Sequence, residues 1–238
     1  DIIATYYNDL EFLNFLKENK LNNVTAFKCN LTNINEVKEM LSKIDEPIDV
    51  TLYLSSNKNL SDSILNPLFD LEINVMGMIN FLECFKGSKL IFFSSGAVYD
   101  GLTGHVSPES KLDPKLPFAI SKLAAEQYIK FYQKERRNFD SYVIVRFFGA
   151  YGPYEQKRKV YTKLIETFYL KNENSFTVRG DGKNLIDAMF VDDAVEGILR
   201  MLESDKVNVV VDFCAGEPLM INDLVMSAAK IFNKEDVV

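Results

Sequence analysis

The sequence is poor in the residues from which metal centres and disulfide frameworks are built. It has a single histidine, His105, and its three cysteines, Cys29, Cys84 and Cys214, lie far apart and form no CxxC pair. This set predicts neither a zinc site nor a disulfide framework, and we expect no metal. A reducing, cytoplasmic setting is the simplest expectation for such a chain.

Basic charge and long apolar runs are scarce as well. The 27 Lys and Arg residues are outnumbered by 34 Asp and Glu residues, so the net charge is −7 at pH 7. This charge disfavours a globally basic nucleic-acid binder, because phosphate neutralisation needs clustered Lys and Arg. No apolar run approaches the ~20 residues that a membrane span requires. We therefore expect neither nucleic acid nor a membrane as a partner.

Short apolar runs alternate with helical patterns along the 238 residues. Strands are predicted at Ile2–Tyr6, Val24–Cys29, Val50–Leu54, Lys89–Phe93, Tyr142–Phe147, Ser175–Val178 and Val207–Phe213. Helices are predicted at Leu10–Lys20, Val37–Ile44, Leu71–Phe85, Ser121–Arg136, Tyr161–Tyr169 and Val191–Leu202. This alternation indicates βαβ units, and it predicts an α/β fold with a Rossmann-like, doubly wound parallel sheet. Such sheets bind ligands at the carboxyl ends of their strands.

After Pro153 the predicted elements become shorter, and a turn rich in Gly and Asp is predicted at Arg179–Asn184. We expect a core at residues 1–150, to which residues 187–214 return. Residues 151–186 and 215–238 are expected to form a small C-terminal substrate-binding lobe.

Two segments carry candidate chemistry. Residues 93–99 read FSSGAVY, which places the Ser95 hydroxyl at the end of a strand, and residues 117–126 read PFAISKLAAE. Phe118 and Lys122 are four residues apart and share one helix face. A tyrosine at 118 would sit beside the Lys122 ammonium, which would lower the phenol pKa from ~10 toward neutral and suit it to acid/base work in hydride transfer. Alone, the segments also suit a simple turn and a helix start with a buried aromatic and a surface lysine.

Three further segments follow the same order as in one known family. Residues 70–77 read DLEINVMG, residues 145–153 read VRFFGAYGP, and GDG at 180–182 precedes FVDD at 190–193. With the two segments above, they resemble the NAD-dependent epimerase/dehydratase family, the extended short-chain dehydrogenases/reductases that modify nucleotide sugars. The resemblance runs from about residue 1 to residue 235.

The resemblance implies roles for individual residues. Ser95 takes the place of the hydroxyl that contacts the reacting oxygen, Lys122 that of the lysine that binds the nicotinamide ribose, and Phe118 that of the proton-transferring tyrosine. The implied cofactor contacts are Asn30, Leu31, Ser55, Ser56, Lys122 and Phe148. The implied substrate contacts are Ser95, Gly96, Ala97, Gly149 and Arg179. The implied partners are NAD or NADP, with NAD preferred, a nucleotide-diphosphate sugar, and a second copy bound through helices 71–85 and 121–136.

Departures from the family pattern narrow the reaction. Gly96 and Ala97 stand where the family's 4,6-dehydratases have an acidic pair, and Ala97 and Tyr154 stand where its 3,5-epimerase/reductases have Cys and His. These departures disfavour both of those reactions. The reactions left are those of an epimerase or a keto-sugar reductase, which act by hydride transfer at one sugar carbon. We expect this chain to lack the family's first βα unit with its glycine-rich turn, and also the family's last segment.

Phe118 leaves three hypotheses open. It is an engineered Tyr→Phe change that traps substrate, or it belongs to a natural enzyme with another acid/base. Alternatively, the chain is a catalytically silent relative that binds nucleotide sugars or NAD(P)H as a regulatory or partner protein. We predict an enzyme of this family disabled by Phe118, with the silent binding protein as the alternative.

Overall fold

A computed structural model describes residues 1–57 and 59–234, in which strands and helices alternate along the chain. The strands are β1 Ile2–Tyr6, β2 Val24–Lys28, β3 Val50–Tyr53, β4 Gly87–Ser95, β5 Phe139–Phe147, β6 Leu185–Asp187, β7 Val209–Phe213 and β8 Pro218–Met220. The helices are α1 Leu10–Glu18, α2 Ile34–Leu41, α3 Leu60–Leu65, α4 Pro67–Leu71, α5 Gly77–Cys84, α6 Pro117–Phe131, α7 Val160–Ile165, α8 Val191–Glu203 and α9 Ile221–Ile231. π-helical turns follow α4, α6 and α7, and a short 3-10 helix follows β4.

The strands form a parallel central sheet, as predicted. β3 pairs with β4 in parallel, and the four-stranded sheet has the order β3-β4-β5-β7. β1 pairs with β2 in parallel, with Ile2 opposite Val24, and none of the described strands joins this pair to the larger sheet. The interleaved helices and strands confirm the predicted Rossmann-like α/β class.

The core of the larger sheet lies around β4. Its residues Leu90, Ile91 and Phe92 are almost completely buried, as expected for a central strand that is covered on both faces. Helices α5 and α6 pack their apolar side chains against this strand, in a cluster that includes Phe81, Leu82, Phe85, Ala125 and Ile129. β4 therefore forms a rigid base for the residues at its carboxyl end.

The described chain divides into two compact units. The first contains Asp1–Arg146 and Lys206–Asp212, and the second contains Phe147–Asp205 and the described residues from Phe213 onward. Of the segment 187–214, which was expected to return to the core, only residues 206–212 belong to the first unit. Residues 235–238 of the expected lobe lie outside the described residues.

Most predicted elements are present with shifted ends, but the strand predicted at Ser175–Val178 is wrong. Phe176 and Val178 pack onto a cluster around Leu164 and Phe168 instead of pairing with another strand. Their alternation therefore reflects packing against a helix. Four elements were missed, and they are α3, α9 and the antiparallel pair β6 and β8.

The long helix predicted at Leu71–Phe85 begins earlier, at α4, and a π-helical turn at Glu72–Met76 interrupts it. Pro67 opens α4 at a position where a missing backbone N–H costs nothing, and the Asn66 side chain accepts a hydrogen bond from Phe69 N. The π-helical turn contains Asn74, and such turns are frequent at functional sites. No helix among the described residues is both long and apolar enough to cross a membrane.

Candidate active site

The carboxyl end of β4 carries Ser95, as the sequence predicted. The Ser95 hydroxyl accepts a hydrogen bond from Ala97 N at 3.1 Å and so caps the 3-10 helix Gly96–Tyr99. Ser95, Gly96 and Ala97 are half-buried. The hydroxyl that would contact a substrate oxygen is thus held at a strand end by local backbone structure.

Lys122 is the cation of this region, and it is buried rather than exposed. Its side chain is on α6, only 3% of the residue is exposed, and Nζ donates a hydrogen bond to the Phe93 carbonyl at 2.5 Å. Nζ also lies 4.4 Å from the centre of the Phe92 ring, which is a cation–π distance. Because Phe93 is two residues before Ser95 on β4, this hydrogen bond brings the Lys122 ammonium to the end of the strand.

Phe118 lies in the first turn of α6, four residues before Lys122, and is 8% exposed. Pro117 precedes it in the first helical turn, and the Phe118 backbone N–H donates to Ser63 Oγ at 3.3 Å. Because residues four apart share a helix face, the two side chains lie on one side of α6. A hydroxyl is the group that this position lacks relative to the tyrosine that the sequence pattern implies.

Burial controls the charge of Lys122. Removal from water disfavours the ammonium and lowers the pKa of Lys122 to about 7, although the carboxylates of Glu126 and Asp70 act in the opposite direction. The surface lysine considered as an alternative is therefore excluded by the structure.

A buried chain of polar groups fixes the end of β4 to α6 and β5. Glu126 is fully buried; it accepts a hydrogen bond from Ser94 Oγ at 2.5 Å and two from Arg146, at 3.2 and 2.9 Å. Arg146 also donates to Tyr99 OH, which in turn donates to Asp212 at 2.7 Å. The pKa of Tyr99 is raised to about 12, by burial first and then by the bond to Asp212. These contacts hold Ser94, and with it Ser95, in place.

A second buried polar group surrounds Asp70, and we call it the Asp70 cluster. It consists of Asp70, Asn57, Asn74 and Ser121, all at most 7% exposed. Sequence reasoning assigned no role to these four residues. The sequence feature that could have indicated this cluster is the pair of polar residues Asp70 and Asn74, which are four residues apart in a mostly apolar helical pattern and so share one helix face.

Four of the predicted cofactor contacts lie after β2 and β3. The Asn30 side chain accepts hydrogen bonds from Thr32 N and Oγ1, and its backbone N–H donates to Glu36. Leu31 packs against the core. Ser55 is exposed, and Ser56 is half-buried. These positions follow strand ends, which is where a parallel sheet binds its ligand.

The described side chains suit the ribose of a dinucleotide at Lys122. An ammonium has three N–H donors, and the Phe93 carbonyl takes one of those of Lys122. The remaining donors match the chemistry of ribose hydroxyls. The Tyr53 hydroxyl, near Gly77 and Leu31, is buried and has no hydrogen-bond partner among the described residues.

Three predicted residues belong to the second unit. Phe148 is 39% exposed, Gly149 has a φ of +113°, and Arg179 is exposed. Also in this unit, the Tyr151 and Tyr161 rings stack at 4.5 Å. Asp187, directly after Ile186, accepts hydrogen bonds from the backbone N–H groups of residues 215 and 216.

Comparisons with known proteins define the class. The model of the NAD dependent epimerase/dehydratase family matches residues 11–212, and the chain belongs to this family. It is 30% identical over 196 residues to a putative UDP-glucose 4-epimerase of Methanocaldococcus jannaschii, covering 79% of this chain and 62% of that protein. It is 24% identical over 239 residues to a UDP-glucuronate 4-epimerase of Thermodesulfobacterium geofontis, covering 99% of this chain and 70% of that protein.

Among solved structures, the chain is similar to a tyrosine-to-phenylalanine mutant of the UDP-glucuronic acid 4-epimerase of Bacillus cereus, in complex with UDP-4-deoxy-4-fluoro-glucuronic acid and NAD. The TM-score is 0.83 at 23% identity, with 99% of this chain and 77% of that chain covered. This likeness supports the fold. The chain spans 62% of the length of the Methanocaldococcus relative.

Proposed function

We propose that the chain is an NAD(P)-dependent nucleotide-sugar 4-epimerase or keto-sugar reductase whose hydride transfer is disabled by Phe118. One observation carries the proposal. Lys122 Nζ is bound by the carbonyl of Phe93, which is two residues before Ser95 on β4. Phe118 is one helical turn before Lys122, on the same face of α6. In this proposal, Phe118 lacks only the hydroxyl that the family's tyrosine carries.

In this proposal each site residue has a stated task. Ser95 binds the oxygen of the reacting sugar carbon, and Lys122 binds the nicotinamide ribose through its free N–H donors. Residues 30, 31, 55, 56 and 148 contact the rest of the dinucleotide, and residues 96, 97, 149 and 179 contact the nucleotide sugar. NAD(P), when bound, supplies the hydride acceptor. We favour NAD because the chain offers no Arg or Lys directly after β1 for a 2′-phosphate.

The names of the relatives support a UDP-sugar as substrate. Both curated relatives cited above are 4-epimerases, and Gly96 and Ala97 lack the acidic groups of a dehydratase. The carbon that reacts is therefore proposed to be C4.

The test restores the missing hydroxyl. Phe118→Tyr is assayed with UDP-glucose and UDP-glucuronic acid, with NAD(H) and NADP(H). We expect turnover to rise by roughly 10²–10⁴-fold, the usual contribution of a general acid/base. Phe15→Tyr is the matched control, because it adds the same phenol at an exposed position outside the proposed site and the proposed dimer surface. Equal rates for both variants and the unmodified chain would reject a disabled catalytic position.

A catalytically silent binding protein is the second candidate. One sequence feature favours this candidate. Ile186 stands near the place where an Arg often holds the sugar-nucleotide phosphates in this family, and isoleucine has no charge with which to bind them. Isothermal titration of NADH, NADPH and UDP-sugars separates the two candidates. Binding that persists in Phe118→Tyr without turnover would favour the silent protein.

We further propose a homodimer through residues 71–85 and 121–136. Apolar side chains on this surface remain exposed in the single chain, among them Leu71, Met76, Tyr128 and Phe131 at 40–47%. A cytoplasmic location is also proposed, because the three cysteines are free thiols, which suits a reducing compartment.

A further inference from the structure

The loop after β2 places Asn30 at the carboxyl end of the paired strands β1 and β2. The Cys29 N–H donates to the Tyr6 carbonyl at 2.8 Å, which continues the pairing of the two strands to their ends, and Asn30 is the next residue. Asn30 is half-buried. Because parallel sheets bind ligands beyond such strand ends, Asn30 is in a position to contact one.

The Asn30 carboxamide is held in one orientation. Its Oδ1 accepts hydrogen bonds from Thr32 N at 3.1 Å and from Thr32 Oγ1 at 3.0 Å, which uses both lone pairs of the oxygen. A backbone N–H can only donate, so the amide atom that faces Thr32 N must be the oxygen. The planar amide then directs Nδ2 away from Thr32, and among the described residues Nδ2 has no hydrogen-bond partner. The side chain therefore presents N–H donors to a ligand and no acceptor.

The backbone around Asn30 is fixed from two sides. Glu36, in the first turn of α2, accepts the Asn30 N–H through Oε2 at 2.8 Å. On the other side, Asn80 Nδ2 on α5 donates to the carbonyls of Leu31 and Thr32, both at 3.0 Å. These bonds preorganise the loop, so the N–H groups of Asn30 need little reordering when a ligand binds.

The proposed cofactor has two ends, and the fold separates the groups that would bind them. Lys122, to which the nicotinamide ribose is assigned, is on α6 and is bonded to the end of β4. Asn30 follows β2, which belongs to a different sheet. The base at the other end of NAD(P) is adenine, and this is the part of the cofactor that we assign to Asn30.

Adenine has both donors and acceptors near its 6-amino group. The amino group donates, whereas the ring nitrogens N1 and N7 on either side of it accept. A carboxylate at position 30 would accept a hydrogen bond from the amino group. The N–H groups of Asn30 can only donate, and so they match a ring nitrogen instead.

We propose that Asn30 determines specificity for the base of the cofactor: its Nδ2 donates to a ring nitrogen of adenine beside the amino group, and this side chain does not bind the amino group itself. The inference rests on the dinucleotide cofactor of the proposed function, and it adds which atoms of the base are recognised. Residue 118 plays no part in it.

Isothermal titration tests the assignment on the unmodified chain. The ligands are NAD and three analogues, whose base is purine without the 6-amino group, 1-deazaadenine or 7-deazaadenine. We expect one of the deaza analogues to bind about five-fold more weakly than NAD, which is the loss that one neutral hydrogen bond typically causes. The analogue without the amino group keeps both ring nitrogens and should bind within about two-fold of NAD.

Asn30→Asp is the diagnostic variant, because it replaces Nδ2 by an oxygen of similar size and leaves an oxygen for Thr32. The order should reverse: the analogue without the amino group should bind about five-fold more weakly than NAD, and the deaza analogue should bind as NAD does. Asn35→Asp is the matched control, because it adds the same charge nearby at an exposed residue and should keep the order of the unmodified chain. Asn30→Ala, which has neither donor nor acceptor, should lose the discrimination against the deaza analogue.

The same order of affinities in the unmodified chain and in Asn30→Asp would overturn this inference and leave the dinucleotide proposal intact. A lack of binding of every dinucleotide to the unmodified chain would instead reject the proposed cofactor, and this assignment with it. Because the titration measures binding alone, an absence of turnover in Phe118→Tyr bears only on the proposed reaction.

Discussion

Glu126 and Arg146 form an ion pair in the interior of the first unit. The Glu126 carboxylate accepts Arg146 Nε at 3.2 Å and Nη2 at 2.9 Å, and the two side chains are 0% and 3% exposed. The same carboxylate binds Ser94, the neighbour of Ser95. The pair therefore links the stability of the unit to the position of the candidate site.

Loss of the Glu126 charge should be strongly destabilising. Glu126→Gln leaves the Arg146 guanidinium buried without its counter-charge, and we expect the free energy of unfolding to fall by about 3–5 kcal/mol. Equilibrium urea denaturation measures this loss. Glu196→Gln is the control, because it removes one partner of an exposed pair with Arg200 and should cost about 0–1 kcal/mol. Similar losses in the two variants would contradict the role given to the buried pair.

The hydroxyl of Tyr53 should destabilise the fold. It is buried without a hydrogen-bond partner among the described residues, and burial raises the pKa of this phenol. We expect Tyr53→Phe to raise the free energy of unfolding by about 1 kcal/mol. Tyr99→Phe, which loses bonds to Arg146 and Asp212, should instead lower it by about 1–3 kcal/mol. A loss in Tyr53→Phe as large as in Tyr99→Phe would show that Tyr53 Oη has a partner.

Lys122 should make stability depend on pH. Its pKa is about 7 in the folded chain and ~10.4 when unfolded. Between these values the unfolded chain binds more protons, so the free energy of unfolding rises with pH from about 7 to about 10. Lys122→Met should flatten this rise, whereas Lys134→Met, at an 80% exposed side chain, should retain it. Urea denaturation at a series of pH values is the measurement, and parallel curves for all three proteins would exclude a low pKa.

The proposed dimer is tested by a charge on its surface. Sedimentation velocity should give a mass twice the 27.2 kDa of the chain. Phe131→Glu, on the exposed face of α6, should shift the protein to the single-chain mass because a buried carboxylate would lie in the interface. Leu170→Glu, at a 70% exposed position in the second unit, should leave the dimer intact. A single-chain mass for the unmodified protein at high concentration would reject the interface.

Local periodicity predicted much of the fold, and its failures have physical causes. Apart from α3, the strands and helices of the first unit appear near the apolar runs and helical patterns that predicted them, because the spacing of apolar residues within one element decides which of its faces is buried. In the second unit the alternation at Ser175–Val178 was misleading, because side chains that pack on a helix show the same spacing.

The sequence by itself determined the family, the α/β class and the sharing of one α6 face by Phe118 and Lys122, because motif order and helical spacing are local properties of a chain. Only the tertiary structure decided that Lys122 is buried, that Asp70 is bound to Ser121, and that Glu126 is bound to Arg146. The Asp70–Ser121 bond spans 51 positions, and the Glu126–Arg146 bonds span 20. Whether a polar side chain meets water or another buried charge depends on such distant partners, and no spacing rule within one element contains them.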